Sequence, residues 1–202
     1  AWRATSLVDK DDVVDALAVS PAFADDQTVY AGTESGAPHI STDGGRRWSL
    51  LQSSIAEGPM YCLWLSPDFA TSGKLLAGIA NGVYLSTDKG NSWSRVAELP
   101  GSILSLTGNG NTVLAALHEA GVFKSEDGGE TWAGTSKITA RGLSRLTSAG
   151  ATLYAMGPQE GVFTSGDGGA GWAPLEGLDD YLPITAMHVG EDGAVFVASH
   201  EA

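Results

Sequence analysis

Short runs in which apolar and polar residues alternate recur along the whole chain, and turns rich in glycine, asparagine and serine separate them. Alternation with a period of two predicts β-strands that bury one face. Five runs start a repeated order of strands and are predicted to be inner strands, at 13–19, 60–65, 103–106, 143–146 and 184–189. A second strand is predicted after each of them, at 28–32, 75–79, 112–117, 152–156 and 194–199. The pattern therefore predicts an all-β protein.

A motif of the form Ser-x-Asp-x-Gly-x-x-Trp follows the predicted third strand and occurs four times. Its copies contain Ser41, Asp43, Gly45 and Trp48; Ser86, Asp88, Gly90 and Trp93; Ser125, Asp127, Gly129 and Trp132; and Ser165, Asp167, Gly169 and Trp172. The Asp carboxylate can accept hydrogen bonds from the backbone N–H groups of a turn, and Gly supplies a positive φ without steric cost. Each copy therefore predicts a β-hairpin whose second strand is anchored by the indole.

The spacing of the motif predicts the larger architecture. The aspartates lie at 43, 88, 127 and 167, so the intervals are 45, 39 and 40 residues. A period near forty with several short strands per unit is typical of a β-propeller with one four-stranded antiparallel blade per repeat. We predict one propeller domain over 1–202, with complete blades at 12–51, 59–98, 102–137 and 142–176 and a partial fifth blade formed by 183–202 with 1–8. A five-bladed ring and an excerpt of a longer propeller of roughly six to eight blades both fit this repeat phase.

Two further regularities concern packing. Small residues occupy the same place in four second strands, at Ala31, Ala77, Ala115 and Ala155. Small side chains at one position are expected where neighbouring sheets stack closely. The segments Ser20-Pro-Ala-Phe23 and Ser66-Pro-Asp-Phe69 are predicted to be turns, because proline presets φ, with the phenylalanine tucked under the loop.

Composition narrows the class of partner. The chain has 11 basic and 24 acidic residues and a net charge of −13, which argues against a nucleic acid because phosphates need a basic footprint. This charge permits a basic protein partner, but a solvated acidic surface that aids solubility is the simpler explanation. No apolar run approaches about 20 residues, so no membrane span is predicted. Cys62, the single cysteine, lies in an apolar run and is predicted to be a buried thiol. The compartment stays open, with an extracytoplasmic location (secreted, periplasmic or cell-surface) favoured.

The segment Gly82-Val-Tyr-Leu-Ser-Thr-Asp-Lys-Gly-Asn-Ser-Trp93 and its three counterparts resemble the Asp-box, or BNR, repeat. Over essentially its whole length the chain resembles Asp-box β-propellers, and most of all those of the photosystem II stability/assembly factor type and uncharacterised bacterial Asp-box repeat proteins. The resemblance implies that the box residues are structural and lie on the rim of the blades, away from ligands. It also implies a ligand face built from the loops between second and third strands and the loops that join blades.

Asp-box propellers include sialidases and xyloglucan hydrolases, and the sequence argues against both activities. A sialidase needs converging arginines, but Arg46 and Arg47 lie inside a box turn, and Arg3 and Arg95 follow box tryptophans. A glycoside hydrolase needs two carboxylates across a cleft, about 5–9.5 Å apart, and abundant acidic loops do not by themselves supply that geometry. No EF-hand loop or histidine pair with metal-ligand spacing is present. We therefore predict no catalytic residues, no metal and no cofactor.

What remains is a binding surface, because loops on rigid scaffolds carry recognition. The candidate binding face consists of His118, Glu119, Arg141, Gln159, Glu160 and Tyr181. The predicted function is a non-enzymatic scaffold or binding module that mediates protein–protein interaction, as an assembly factor or accessory subunit of a larger complex. The alternative is a carbohydrate-binding or glycoside-hydrolase-type Asp-box propeller, with a glycan as ligand.

Overall fold

The computed structural model describes residues 7, 12–52, 55, 58–80, 82–135, 138, 142–178, 181–190 and 192–199. Within these residues, eighteen strands and two one-turn helices are found. The strands form four four-stranded sheets and one two-stranded sheet, and every pairing is antiparallel. The chain divides into two compact units, Ala1–Leu99 and Pro100–Ala202. The predicted all-β class with four-stranded antiparallel blades is therefore confirmed.

The first unit contains two blades, each with its strands in chain order from the inner to the outer edge. The first blade consists of β1 (Val14–Val19), β2 (Val29–Thr33), β3 (Pro38–Ser41) and β4 (Ser49–Leu50). The second consists of β5 (Cys62–Leu65), β6 (Leu75–Gly78), β7 (Gly82–Ser86) and β8 (Ser94–Glu98). The additional strand predicted at 1–8 lies outside the described residues, apart from Leu7.

The second unit contains two complete blades and a two-stranded sheet. The third blade consists of β9 (Ile103–Asn109), β10 (Thr112–Leu117), β11 (Gly121–Ser125) and β12 (Ala133–Gly134). The fourth consists of β13 (Arg145–Ala149), β14 (Thr152–Gly157), β15 (Gly161–Ser165) and β16 (Ala173–Pro174). The partial fifth blade consists of β17 (Ile184–Val189) and β18 (Val195–Ser199). Every predicted inner or second strand overlaps an observed strand.

The two Ser-Pro segments form more than turns, because each leads into a helical turn: α1 (Phe23–Asp26) and α2 (Phe69–Ser72). The hydroxyl of Ser20 donates to the carboxylate of Asp26 at 2.6 Å, and Ser66 donates to Asp68 at 2.5 Å. These bonds tie the helical turn to the end of the preceding strand. The predicted burial is observed for Phe69, which is 2% exposed.

The two blades of the first unit pack face to face, and the contact is made by residues at fixed positions of the repeat. Leu63 of β5 lies opposite Ala77 of β6, and it shares a buried cluster with Ala16 and Tyr30 of the preceding blade. Burying one leucine side chain contributes about 1.5–3 kcal/mol. Tyr30 also reaches across the junction, where its hydroxyl donates to the carbonyl of Lys89 at 2.9 Å.

The same register recurs in the second unit. Leu146 lies opposite Ala155 and packs with Leu114 of the third blade. Met187 of the partial blade packs with Tyr154 of the fourth. The small side chains predicted from the repeat are fully buried, at 0% exposure, in all four second strands: Ala31, Ala77, Ala115 and Ala155. Ala77 shares a cluster with Tyr30, and Ala155 with Leu114, so each of these two alanines makes room for a larger side chain of the preceding blade.

The two short helices leave no candidate for a membrane span: across the described residues, no helix has the length and apolar character to cross a bilayer.

Cys62 is buried in β5, as predicted. Burial raises the pKa of its thiol to about 12, so the reactive thiolate is scarce at neutral pH. We expect a thiol reagent such as Ellman's reagent to modify Cys62 slowly in the native protein and rapidly in denaturant. Because the chain has one cysteine, the labelling rate measures opening of the first unit directly. Labelling as fast as that of free cysteine under native conditions would contradict the buried placement.

Candidate binding face

The connectivity of each four-stranded blade separates two ends. In an antiparallel meander, the turn between the first and second strands and the turn between the third and fourth strands share one end, and the turn between the second and third strands lies at the other. The motif hairpins therefore occupy one end of each blade. The turns that hold four of the six candidate residues occupy the opposite end.

The motif hairpins share one set of hydrogen bonds, shown here for the third blade. The hydroxyl of Ser125 donates to the carboxylate of Asp127 at 2.7 Å and accepts from the N–H of Gly129 at 2.8 Å. Asp127 also accepts from the N–H groups of Glu130 and Thr131, at 3.0 and 2.8 Å. The indole of Trp132 donates to the carbonyl of Gly129 at 2.9 Å. The Ser125 and Asp127 side chains thus pair with three N–H groups of the turn, and the N–H of Gly128 donates to the carbonyl of Asn111 at 2.8 Å.

The other three hairpins repeat this arrangement. The Trp indole donates to the Gly carbonyl at 3.1, 3.0 and 3.2 Å in the first, second and fourth copies, and the Ser hydroxyl accepts from the Gly N–H at 2.9 Å in each. One departure concerns Lys89, which adopts a φ of +60° where the other copies have glycine. Its left-handed backbone carries the carbonyl that accepts from Tyr30.

These hydrogen bonds lower the pKa of every box aspartate. The hydroxyl and N–H of Thr131 hold the pKa of Asp127 well below its ordinary value. The pKa of Asp43 is lowered chiefly by the N–H of Arg47, that of Asp88 by the Ser92 hydroxyl and that of Asp167 by the N–H of Gly171. Donors that stabilise the charged carboxylate produce such shifts. They serve the turn and do not indicate catalysis.

At the opposite end, two equivalent turns present four of the candidate side chains. His118 and Glu119 lie between β10 and β11, and Gln159 and Glu160 lie between β14 and β15; all four are exposed. Each turn ends at a glycine with positive φ, +75° at Gly121 and +86° at Gly161. Glycine adopts this conformation at little cost, so the chain reverses sharply there.

Backbone hydrogen bonds fix these turns to the segments that join the blades. His118 donates through its N–H to the carbonyl of Ser102 at 3.0 Å and accepts from the N–H of Gly142 at 2.5 Å. Ile184, at the start of the partial blade, donates to the carbonyl of Pro158 at 2.9 Å. The turn of His118 is therefore anchored on both sides, and the turn that starts at Pro158 is anchored to the partial blade.

Tyr181 lies in the connection between the fourth blade and the partial blade, and its side chain is 54% exposed. Its N–H donates to the carbonyl of Leu178 at 3.0 Å. The sixth candidate, Arg141, lies outside the described residues. The structure thus brings five candidates to the loops of two adjacent blades and the connection that follows them. Two clefts in the second unit, of about 350 and 380 Å³, lie elsewhere and are not lined by these residues.

Asp12 has a role in the loops that the sequence did not predict. Its carboxylate accepts from the N–H of Val13 at 3.0 Å and from the Ser35 hydroxyl at 2.7 Å and N–H at 3.2 Å. The Ser35 hydroxyl is the first cause that lowers the pKa of Asp12. Asp12 therefore fastens the turn between β2 and β3 to the entry of the first blade. Its partner is 23 residues away, so no local motif indicates the contact.

Metal binding has no support in the described part of the chain, where no group of three or more His, Cys, Asp or Glu side chains is placed to hold an ion.

Comparison with solved structures identifies the fold. No protein-family model and no curated protein matches the sequence. An ancestral GH74 enzyme superposes with a TM-score of 0.75 at 23% identity, over 92% of this chain and 27% of the enzyme. The GH74 xyloglucanase from Xanthomonas campestris gives 0.74 at 20% identity, over 98% and 35% of the two chains. YCF48 bound to D1 peptide gives 0.73 at 15% identity, over 97% and 69%.

The chain is therefore a β-propeller protein, with four four-stranded blades and a partial fifth among the described residues. At these identities the likeness establishes the fold alone. The chain spans only 27–35% of the GH74 enzymes it resembles.

The shifted box carboxylates predict a pH dependence of stability. A carboxylate whose pKa is lower in the folded than in the unfolded state stabilises the fold fully above the unfolded value, 3.8 for Asp127, and loses this contribution as the pH falls toward the folded value. We expect the melting temperature to fall below about pH 4 and to fall less steeply in Asp127→Asn, measured by circular dichroism. Glu176→Gln, a change of an exposed carboxylate in the same unit, is the control. Equal pH slopes for Asp127→Asn and wild type would contradict the role of the hairpin.

Proposed function

We propose that the protein is a non-enzymatic scaffold that binds a protein partner through its candidate binding face, as an assembly factor or accessory subunit of a larger complex. The observation that carries this proposal is the placement of exposed polar side chains on backbone-anchored turns of adjacent blades. In this proposal the four motif hairpins are structural and hold the opposite end of each blade.

The anchoring of the turns favours binding because it reduces the entropy lost on association. The backbone of His118 is held by Ser102 and Gly142 before any partner arrives. A prearranged surface avoids part of the cost of ordering loops at an interface. The proposed face therefore resembles a recognition surface more than a set of free loop tips.

The chemistry of the face suits an extended polypeptide. Glu119 and Glu160 offer carboxylate acceptors, Gln159 offers an amide that both donates and accepts, and Tyr181 adds an exposed aromatic ring. Backbone N–H groups and basic side chains of a peptide are suitable partners for such acceptors. The net charge of −13 favours a partner segment with basic residues. The solved complex of YCF48 with a D1 peptide is a structural neighbour whose ligand is a peptide.

Peptide selection tests the proposal. Short random peptides displayed on phage are selected on the protein, and the enriched sequences are synthesised and titrated by fluorescence polarisation. We expect enrichment of basic peptides and a loss of affinity of about tenfold or more in the Glu119→Ala, Gln159→Ala, Glu160→Ala triple variant, which removes several interface contacts.

The matched control also removes two carboxylates, at the motif end of the third blade, through Glu126→Ala with Glu130→Ala. Affinity should be retained in this variant. Selection of no peptide, or equal binding by the triple variant and wild type, would refute the proposal.

The second candidate function is glycan binding or glycoside hydrolysis, and its specific support is the likeness to GH74 enzymes together with two carboxylates, Glu119 and Glu160, on turns of adjacent blades. Under our proposal, xyloglucan incubated with the protein releases no reducing ends above the buffer control. Release that disappears in both Glu119→Gln and Glu160→Gln would favour the hydrolase instead. Saturable heat on titration with xyloglucan oligosaccharides, without release, would favour a glycan-binding module.

A further inference from the structure

Two sheet faces of the protein each expose one large apolar residue, Leu17 or Phe196, at a position that is buried in the other blades. One face belongs to the first blade and contains Leu17, Val19 and Leu50; we call it the leading face. The other belongs to the partial blade and contains Phe196, His188 and Ala198; we call it the trailing face. Contiguous exposed apolar residues on a sheet indicate an interaction surface.

The strand pairings show that Leu17 occupies a blade-stacking position. Leu17 lies opposite Ala31, just as Leu63 lies opposite Ala77. The equivalent residues of the other blades are almost fully buried, with Leu63, Leu106, Leu146 and Met187 exposed by 9, 8, 5 and 3%, whereas Leu17 is 65% exposed. Val19 lies two residues after Leu17 in the strand and is 56% exposed, whereas its equivalent in the second blade, Leu65, is 7% exposed.

Phe196 occupies the complementary stacking position. It directly precedes Val197, which pairs with Met187 as Ala155 pairs with Leu146. Its equivalents in the other blades, Tyr30, Leu76, Leu114 and Tyr154, are exposed by 1, 0, 1 and 7%, whereas Phe196 is 63% exposed. The His188 ring lies beside Phe196, with 6.4 Å between the ring centroids.

The existing junctions show how the two faces fit each other. Leu63 packs with Ala16 and Tyr30 of the preceding blade, and Met187 packs with Tyr154. The junction between the third and fourth blades pairs two leucines, whereas here a leucine or methionine of one blade meets an aromatic ring of the blade before it. The leading face presents the leucine of this pair, and the trailing face presents the aromatic ring.

We propose that, in solutions of this 202-residue chain, the leading face of one copy packs on the trailing face of a second copy, in the same register as the junctions between blades. The contact continues an interface that the protein already forms. The two faces also differ in polar character, since exposed Asp15 flanks Leu17 and exposed His188 flanks Phe196. Such an interface is heterologous, because different surfaces of the two copies meet. The inference is independent of the proposed function.

Light scattering after size-exclusion chromatography tests this interface with the full chain. We expect wild type to show a mass of at least twice that of one chain, which increases with concentration. Leu17→Glu and Phe196→Glu each lack one of the two faces and should be monomeric. An equimolar mixture of the two variants retains one intact leading face and one intact trailing face, and should form a dimer that grows no further. Tyr181→Glu, which changes an equally exposed ring in a loop, should associate like wild type.

Circular dichroism establishes that each variant is folded, so that monomers are not the product of unfolding. A wild-type protein that is monomeric at every concentration would overturn the proposal. Loss of association in only one of the two variants, or a folded mixture that stays monomeric, would also overturn it. If only one variant lost association, the contact would be symmetric and would join like faces.

Discussion

The structure depends on a small set of hydrogen bonds within each motif hairpin. One carboxylate, one hydroxyl and one indole satisfy the backbone of a turn that is otherwise too tight to pair its own N–H groups. In the third blade, Asp127 accepts from Ser125, Glu130 and Thr131, and Trp132 returns a bond to Gly129. Unpaired backbone groups are costly when they are removed from water, and side chains that pair with them make the tight turn acceptable. The hairpin thereby fixes the connection between the third and fourth strands of each complete blade.

Packing between blades buries apolar side chains, which the hydrogen bonds of the hairpins do not do. Fully buried alanines leave space in the middle of the second strands. Tyr30 of the preceding blade packs in one cluster with Ala77, and Leu114 of the preceding blade packs in another with Ala155. Polar chemistry at one end and apolar packing along the face thus have separate positions in the repeat. The end opposite the motif hairpins contributes neither the motif hydrogen bonds nor the packing between blades. Exposed side chains at that end, such as Glu119 and Gln159, differ between blades.

The sequence predicts most of the fold because the decisive contacts are local or periodic. The box bonds span at most four residues, and the strand alternation repeats with the period of the box. The turns at Ser20 and Ser66 form as predicted. The sequence does not predict the helical turn that follows each of them, where Asp26 or Asp68 accepts from the serine hydroxyl. The hydrogen bond between Asp12 and Ser35 could not be predicted, because the two residues are distant in sequence. The candidate face is only partly predictable, since its side chains come together through the blade junctions and not through any shared motif.

The separation of tasks within the repeat has a consequence for how such a chain can change over time. In each complete repeat, the hydrogen bonds of the motif hairpin are made among a few neighbouring residues. Within a unit, each blade packs only on the blades next to it in the chain. Stability in such quasi-one-dimensional arrays is approximately a sum of repeat and nearest-neighbour contributions. Duplication or deletion of one whole repeat therefore leaves every remaining hairpin intact and replaces one junction by another of the same kind. Substitutions such as lysine for glycine at Lys89 can likewise accumulate in one copy without demanding a matching change in the rest.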